Sequence, residues 1–336
     1  MVMSTGAMAL KIGGGGDPRK IDLSQTFDFS ADPATEAKTY IVTTGNMKLK
    51  QVKRVAVSSC TIGVVIGKAA SGKSSGGTMT WNASTSSPFP GGIPTQRIRE
   101  AVDNFCDQIE VDLKGAGYEV VPYEELAAIP SYQKFAAKFS RDAQVLEEDI
   151  DLGNQKGGKA VNVVLVVSGK NRPFPKDIRF PKLSTGTGRA KLGYEKDMAG
   201  ITMLDVFTTL DFAKVDAKGG FWHGAKADMK YGQFIPPGEK LSSAYFAGDA
   251  GGRSFWQKQA MVAAKNPFVE GGGGKVTYDG EYDDDIFKPS DGVSTFTTTK
   301  ETTIDADHVL WSANTNSLLK ALSAMFIQAL KDETNK

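Results

Sequence analysis

The chain has 336 residues, 40% hydrophobic and 24% charged, which suits a soluble globular protein with one large core or two ordinary ones. A formal net charge of +1 gives no field for gathering nucleic acid or an anionic membrane, so no nucleic-acid partner is expected. Two cysteines and two histidines exclude a disulfide-framework module and offer no ligand spacing for structural zinc.

Residues 1–50 read as an N-terminal extension, with a Gly tract at 13–16, polar residues and short apolar stretches such as Thr39 to Thr43. Ala7, Met8 and Ala9 form the kind of triplet at which signal peptides are cut, without the charged start and apolar segment of a whole signal. The basic stretch Lys48 to Arg54 is either a contact for phosphate or an acidic partner, or an ordinary exposed strand edge. It leads into a long apolar strand, Arg54 to Ile66.

The next segment, GKAASGKS, matches the phosphate-loop pattern G-x-x-x-x-G-K-[ST], with Gly67, Gly72, Lys73 and Ser74 at the defining positions. A phosphate loop also needs a helix opening at its Lys-Ser pair, whose free N–H groups face the anion. Here Gly76, Gly77, Thr78, Thr80, Pro88 and Pro90 follow, a run hostile to helix. The segment is therefore expected to be the tip of a hairpin joining Arg54–Ile66 to a partner strand at Gly77–Ser84, with nucleotide binding as the alternative. No cofactor is expected.

Thr95 is a good N-cap for a helix whose apolar stripe is Ile98, Val102, Phe105, Ile109 and Leu113. Gly115 and Gly117 end it, and Tyr118 to Val121 resumes as a strand. Pro122 and Pro130 open two further helical stretches, the second carrying Tyr132, Phe135 and Phe139 on one face. Cys60 on the first strand and Cys106 on the first long helix read as two buried thiols, with a disulfide as the alternative.

Lys159 to Ser168 is apolar enough to be a central strand. Residues 170–192 read as a loop, and Thr202–Ala213 and Gly220–Tyr231 as two strands joined at Asp216–Gly220. Phe255 to Ala264 reads as a short amphipathic helix closed by Asn266 and Pro267, and Gly271–Gly274 as a flexible joint. Val293–Thr303 and His308–Trp311 read as strands. The chain closes on a helix with a stripe of Leu318, Leu319, Leu322, Met325, Phe326, Ala329 and Leu330. The fold class is α/β in the α+β sense, a mixed sheet flanked by helices. Residues 51–169 form the first part of the core, 170–290 a strand-rich insert, and 291–336 the completion of the core.

Neither His223 nor His308 has a nucleophile motif beside it, so no catalytic constellation is expected and the chain reads as non-enzymatic. Asp279, Glu281, Asp283, Asp284 and Asp285 offer the carboxylates that calcium favours, but not in EF-hand order. A solvated turn is the preferred reading, and no metal is expected. The hairpins at 55–84 and 202–231 have strands near the roughly 9–11 residues of a membrane barrel. Asp205, Asp211, Lys226 and Asp228 would then need a lumen, so a soluble sheet is preferred and a ring-forming membrane pore is the alternative.

The order of elements, together with GAGYEVVPYEEL from Gly115 to Leu126 and VLWS from Val309 to Ser312, resembles the periplasmic α/β domain of two lipoprotein families. These are the curli secretion channel and the penicillin-binding-protein activators. The resemblance spans 54–169 and 290–330, and the chain departs from both in lacking their lipidated cysteine and in its large insert. It implies envelope assembly or scaffolding through protein contacts, often in rings, as a homo-oligomer or with an envelope protein partner. The implied location is the periplasm, the outer membrane face or the extracellular space.

Overall fold

The computed structural model describes residues 21–73, 79–85, 88–89, 94–141, 146–150, 158–159, 161–167, 174–175, 192–218, 226–239, 241–249, 251–280 and 296–335. Helix α1 (Pro33–Tyr40) and strands β1 (Ile41–Gly45), β2 (Arg54–Val65), β3 (Lys68–Lys73) and β4 (Met79–Thr85) come first. Helix α2 (Thr95–Gly115), β5 (Glu119–Val120), α3 (Tyr123–Ala128), α4 (Pro130–Phe139), β6 (Ser140–Arg141), β7 (Leu146–Ile150), β8 (Gly158–Lys159), β9 (Val161–Val167) and β10 (Phe174–Pro175) follow. The last part holds β11 (Ile201–Lys218), β12 (Lys226–Ile235), β13 (Ser242–Gly248), β14 (Gly251–Gln257), β15 (Met261–Val262), β16 (Phe268–Gly280), β17 (Phe296–Ala306) and helix α5 (His308–Thr334).

Among the described residues two large sheets and the two-stranded ladder of β10 with β6 result, and the class is α+β with a large strand-rich portion. The larger runs β1-β14-β13-β11-β2-β9-β7, with β12, β15 and β5 attached; the smaller runs β16-β17-β4-β3-β8. Strand β2 lies at the centre because both its faces are covered: every residue from Val55 to Val65 is buried. On one face Val55, Val57, Cys60, Ile62 and Val64 join the main core with the helices. The α2 stripe Ile98, Val102, Phe105, Ile109 and Leu113 packs there, beside Leu318, Leu322, Met325 and Leu330 of α5. On the other face Ala56 and Met203 meet Leu126 and Tyr132 of α3 and α4. Burying each such Leu or Ile contributes about 2 kcal/mol.

The structure redraws several sequence boundaries. Residues 21–50 are not an appendage: β1 pairs antiparallel with β14, and Phe27, Ala37, Met47 and Leu49 are core residues. Nor are the described strands between 201 and 248 a separate insert, since β11 lies beside β2 in parallel register and carries β12 and β13 on antiparallel ladders. The expected helix at Phe255–Ala264 is strand β14 up to Gln257, with β15 after it. Ser254, Phe255, Trp256 and Gln257 are all buried, so the strand shows no polar face to betray its period. His308–Trp311 is the first turn of α5 rather than a strand, because Asp307 caps it: its carboxylate accepts Val309 N–H at 2.9 Å and Leu310 N–H at 3.0 Å.

Helix α2 starts at Thr95 with Pro94 as its N-cap, so Thr95 is its first helical residue instead. It ends where expected. Tyr118 N–H donates to Leu113 C=O at 3.1 Å and Gly117 N–H to Lys114 C=O at 3.0 Å, with Gly117 at φ 90°. A Cβ at either Gly115 or Gly117 meets nothing within 4 Å, so only backbone preference decides the effect of an alanine. Gly117→Ala is expected to lower stability by about 1 kcal/mol, and Gly115→Ala, inside the helix, to raise it by about 0.5 kcal/mol. Urea midpoints moving in the same direction for both would contradict this.

Candidate functional site

The phosphate-loop match dissolves on inspection of the backbone. Residues Lys68–Lys73 are strand β3, extended and paired antiparallel with β4, with Gly72 opposite Trp81 and Lys73 opposite Thr80. Gly67 precedes the strand, and Ser74 lies outside the described residues. A strand presents alternate N–H groups to its neighbours and does not wrap them round an anion. The expected tip is thus a strand in its own right, and the hairpin is β3–β4, while β2 pairs with β11, β9 and β5.

The lysine that matters is Lys68, one residue past Gly67. Its ammonium reaches Asp211 Oδ2 at 2.6 Å, and the two side chains are 1% and 0% exposed. It also donates to the Ala213 carbonyl and lies 5.7 Å from the centre of the Phe234 ring. Asp211 Oδ1 accepts the Phe212 N–H at 2.7 Å and the Ala213 N–H at 3.2 Å. The β11–β12 ladder is irregular between Asp211 and Ala213, with Phe212 outside its register. The ion pair supplies hydrogen-bond partners there to the Phe212 and Ala213 N–H groups and the Ala213 carbonyl. Burial pushes the Lys68 ammonium below its ordinary value, and the Asp211 carboxylate opposes that shift. Sealed from solvent, the pair has no room for a substrate; it ties β3 of the small sheet to β11 of the large one.

A second buried polar group sits on β2. The β2–β11 register shifts between Leu204 and Asp205, so Ser58 is an extra residue. Ser58 and Ser59 both donate to Asp205 Oδ1, at 2.8 and 2.5 Å, and the Tyr132 hydroxyl donates to Ser58 C=O at 3.2 Å. No described histidine stands beside these serines. His308 packs edge-on against Phe89 at 5.5 Å, and His223 lies outside the described residues. The cluster pins the bulge, and among the described residues no histidine base stands with it.

Of the acidic cluster, Asp279 stands in β16 opposite Thr297, whereas Glu281, Asp283, Asp284 and Asp285 lie outside the described residues. Among the described residues no three metal-ligating side chains gather. Cys60 and Cys106 are bonded, Cα to Cα 6.1 Å, which corrects the reading of two thiols and links β2 to α2. In the basic stretch, Arg54 pairs with Glu119 at 2.7 Å and Glu125 at 3.0 Å. The hydrogen bond that Arg54 Nε donates to Glu119 contributes most to raising its guanidinium above the usual range.

Lys68, Asp211, Ser58, Ser59 and Asp205 were not legible as partners. A charge interrupting an apolar strand, as in Leu210-Asp211-Phe212, is the one signal available, and it does not name the partner. No family model matches the chain, and no curated protein or solved structure matches it either.

Proposed function

We propose that this chain is a non-enzymatic assembly or scaffold protein of the cell envelope or secreted space. It works through contacts with copies of itself or with an envelope protein partner. The observation that supports this most is the free edge of the small sheet. Past the irregularity at Gly271–Gly274, Lys275–Gly280 of β16 pairs in unbroken register with Phe296–Glu301 of β17. Among the described residues no strand pairs with its other edge. Alternate residues of such a strand turn N–H and C=O outward, a ready template for another strand. The Cys60–Cys106 bond suits an oxidising compartment, and the resemblance to envelope lipoproteins points the same way. Among the described residues no helix is long and apolar enough to cross a membrane.

Light scattering of the purified chain is expected to give a defined multiple of 35.9 kDa. Val276→Pro and Thr277→Pro, made singly, remove donors from opposite edges of β16, so one of them strips an outward N–H. That one should lower the mass to the monomer with its circular dichroism unchanged. A wild-type monomer that captures no partner would overturn the reading.

A further inference from the structure

The turn before β2 and the C-terminal ends of α2 and α5 line a half-open cavity of about 340 Å³, within the range of small-ligand sites. Lys50 and Lys53 enter it from the turn and Lys331 from α5. Among the described residues none of these ammonium groups has a carboxylate partner. Of the acids on adjoining segments, Glu119 and Glu125 pair with Arg54 and Glu333 with Arg253 at 2.7 Å, while Asp332 accepts from the neutral Gln328 amide at 2.8 Å. Buried Val52 and Tyr118 supply a partly apolar wall. Thr334 donates to Leu330 C=O at 2.8 Å, so the Tyr118 hydroxyl, 2.8 Å away, donates to Thr334.

The plainest explanation for lysines here is the negative pole of a helix C-terminus. It accounts for Lys331 on α5, and α2 already has Lys114 in its last turn. It does not account for Lys50 and Lys53, which stand exposed on the turn at the mouth of the cavity. Two helix ends carry roughly −0.5 each, which the three ammonium groups outweigh. A phosphate monoester carries about −1.5 to −2 near neutral pH and supplies three acceptor oxygens.

We propose that this cavity binds a phosphate ester, its phosphoryl oxygens among Lys50, Lys53 and Lys331 and its carbon portion against Val52 and Tyr118. The ester is either a soluble metabolite or the headgroup of a phosphomonoester lipid. The site goes beyond the strand-edge reading and stands apart from it, since none of its residues lies on β16.

The test uses the full chain. Calorimetric titration with glycerol 3-phosphate probes the soluble ester, and flotation with phosphatidylcholine vesicles, with and without phosphatidic acid, probes the lipid. Saturable binding is expected in one or both arms. Lys50→Ala/Lys53→Ala/Lys331→Ala should weaken it at least tenfold, while Lys134→Ala/Lys196→Ala/Lys265→Ala, of equal charge change on lysines that do not line the cavity, should leave it intact. Binding to the soluble ester alone, or to phosphatidic acid vesicles alone, supports the site and names the source. No saturable binding to either probe, or equal losses in both triple variants, overturns it. Scattering mass measured on the same proteins keeps this outcome separate from the fate of self-association.

Discussion

Removing the Cys60–Cys106 bond is expected to lower the stability of the folded chain by about 4 kcal/mol. The two residues are 46 apart in sequence, and closing a loop of that length in the unfolded chain costs about 4 kcal/mol by the chain-entropy relation. Both cysteines sit in the main core, at 1% and 0% exposure, so serine replacements would add the penalty of a buried hydroxyl. Cys60→Ala/Cys106→Ala is therefore the cleaner variant. Urea unfolding of this variant and of reduced wild type should show the same loss, together with a larger dependence on denaturant, because the uncrosslinked chain exposes more surface. Two free thiols in the native wild type, or a double variant as stable as the parent, would remove the bond from the account. A fold leaning on this bond for about 4 kcal/mol, against the usual 5–15 kcal/mol of net stability, is suited to a compartment where the bond persists.

How far the sequence reveals this fold depends on whether a segment shows one face or two to the core. Helix α2 was legible because Ile98, Val102, Phe105, Ile109 and Leu113 recur at helical spacing with polar residues between them, and all five are buried together. The stripe of α5 was legible for the same reason, but its start was not. His308–Trp311 reads as a strand until Asp307 is seen to cap the helix, and Trp311 and Thr315 extend the buried stripe back to it. Strand β14 failed for the opposite reason: with polar Ser254 and Gln257 buried beside Phe255 and Trp256, inside and outside cannot be told apart.

Topology was less legible than element type. The hairpin of β11 with β12 was anticipated, being local, whereas the pairing of β2 with β11 spans well over a hundred residues, and no local pattern encodes it. Hence the segment 170–290 looked like an addition when it supplies the strand beside β2. The candidate sites divide in the same way. The phosphate-loop motif singles out Lys73, because it encodes spacing and not backbone shape. Lys68 acquires meaning only from Asp211, which is 143 residues away.

Lys68→Met is expected to destabilise the protein by about 3–5 kcal/mol, the range found when one member of a buried ion pair is removed. Three costs combine: the Asp211 carboxylate is left charged in a sealed site, the Ala213 carbonyl loses a donor, and the contact with the Phe234 ring is lost. Asp211→Asn in the same background separates these. Its amide oxygen still accepts from the Phe212 and Ala213 N–H groups and carries no charge, so Lys68→Met/Asp211→Asn should recover about 2–3 kcal/mol. The unmet Ala213 carbonyl and the lost ring contact then account for the remainder. A double variant no better than Lys68→Met would show that charge burial is not the source of the cost. The pH dependence carries a sign as well. Burial holds Lys68 below the ordinary lysine value of 10.5, so between the two values the unfolded chain binds more proton, and this group's contribution to stability rises with pH across that window. The losses should also be local at first, because the pair joins β3 to β11. Hydrogen exchange in Lys68–Lys73 and Met79–Thr85 should accelerate before exchange in Val55–Val65, since the small sheet loses its tie to the large one while the main core stays packed.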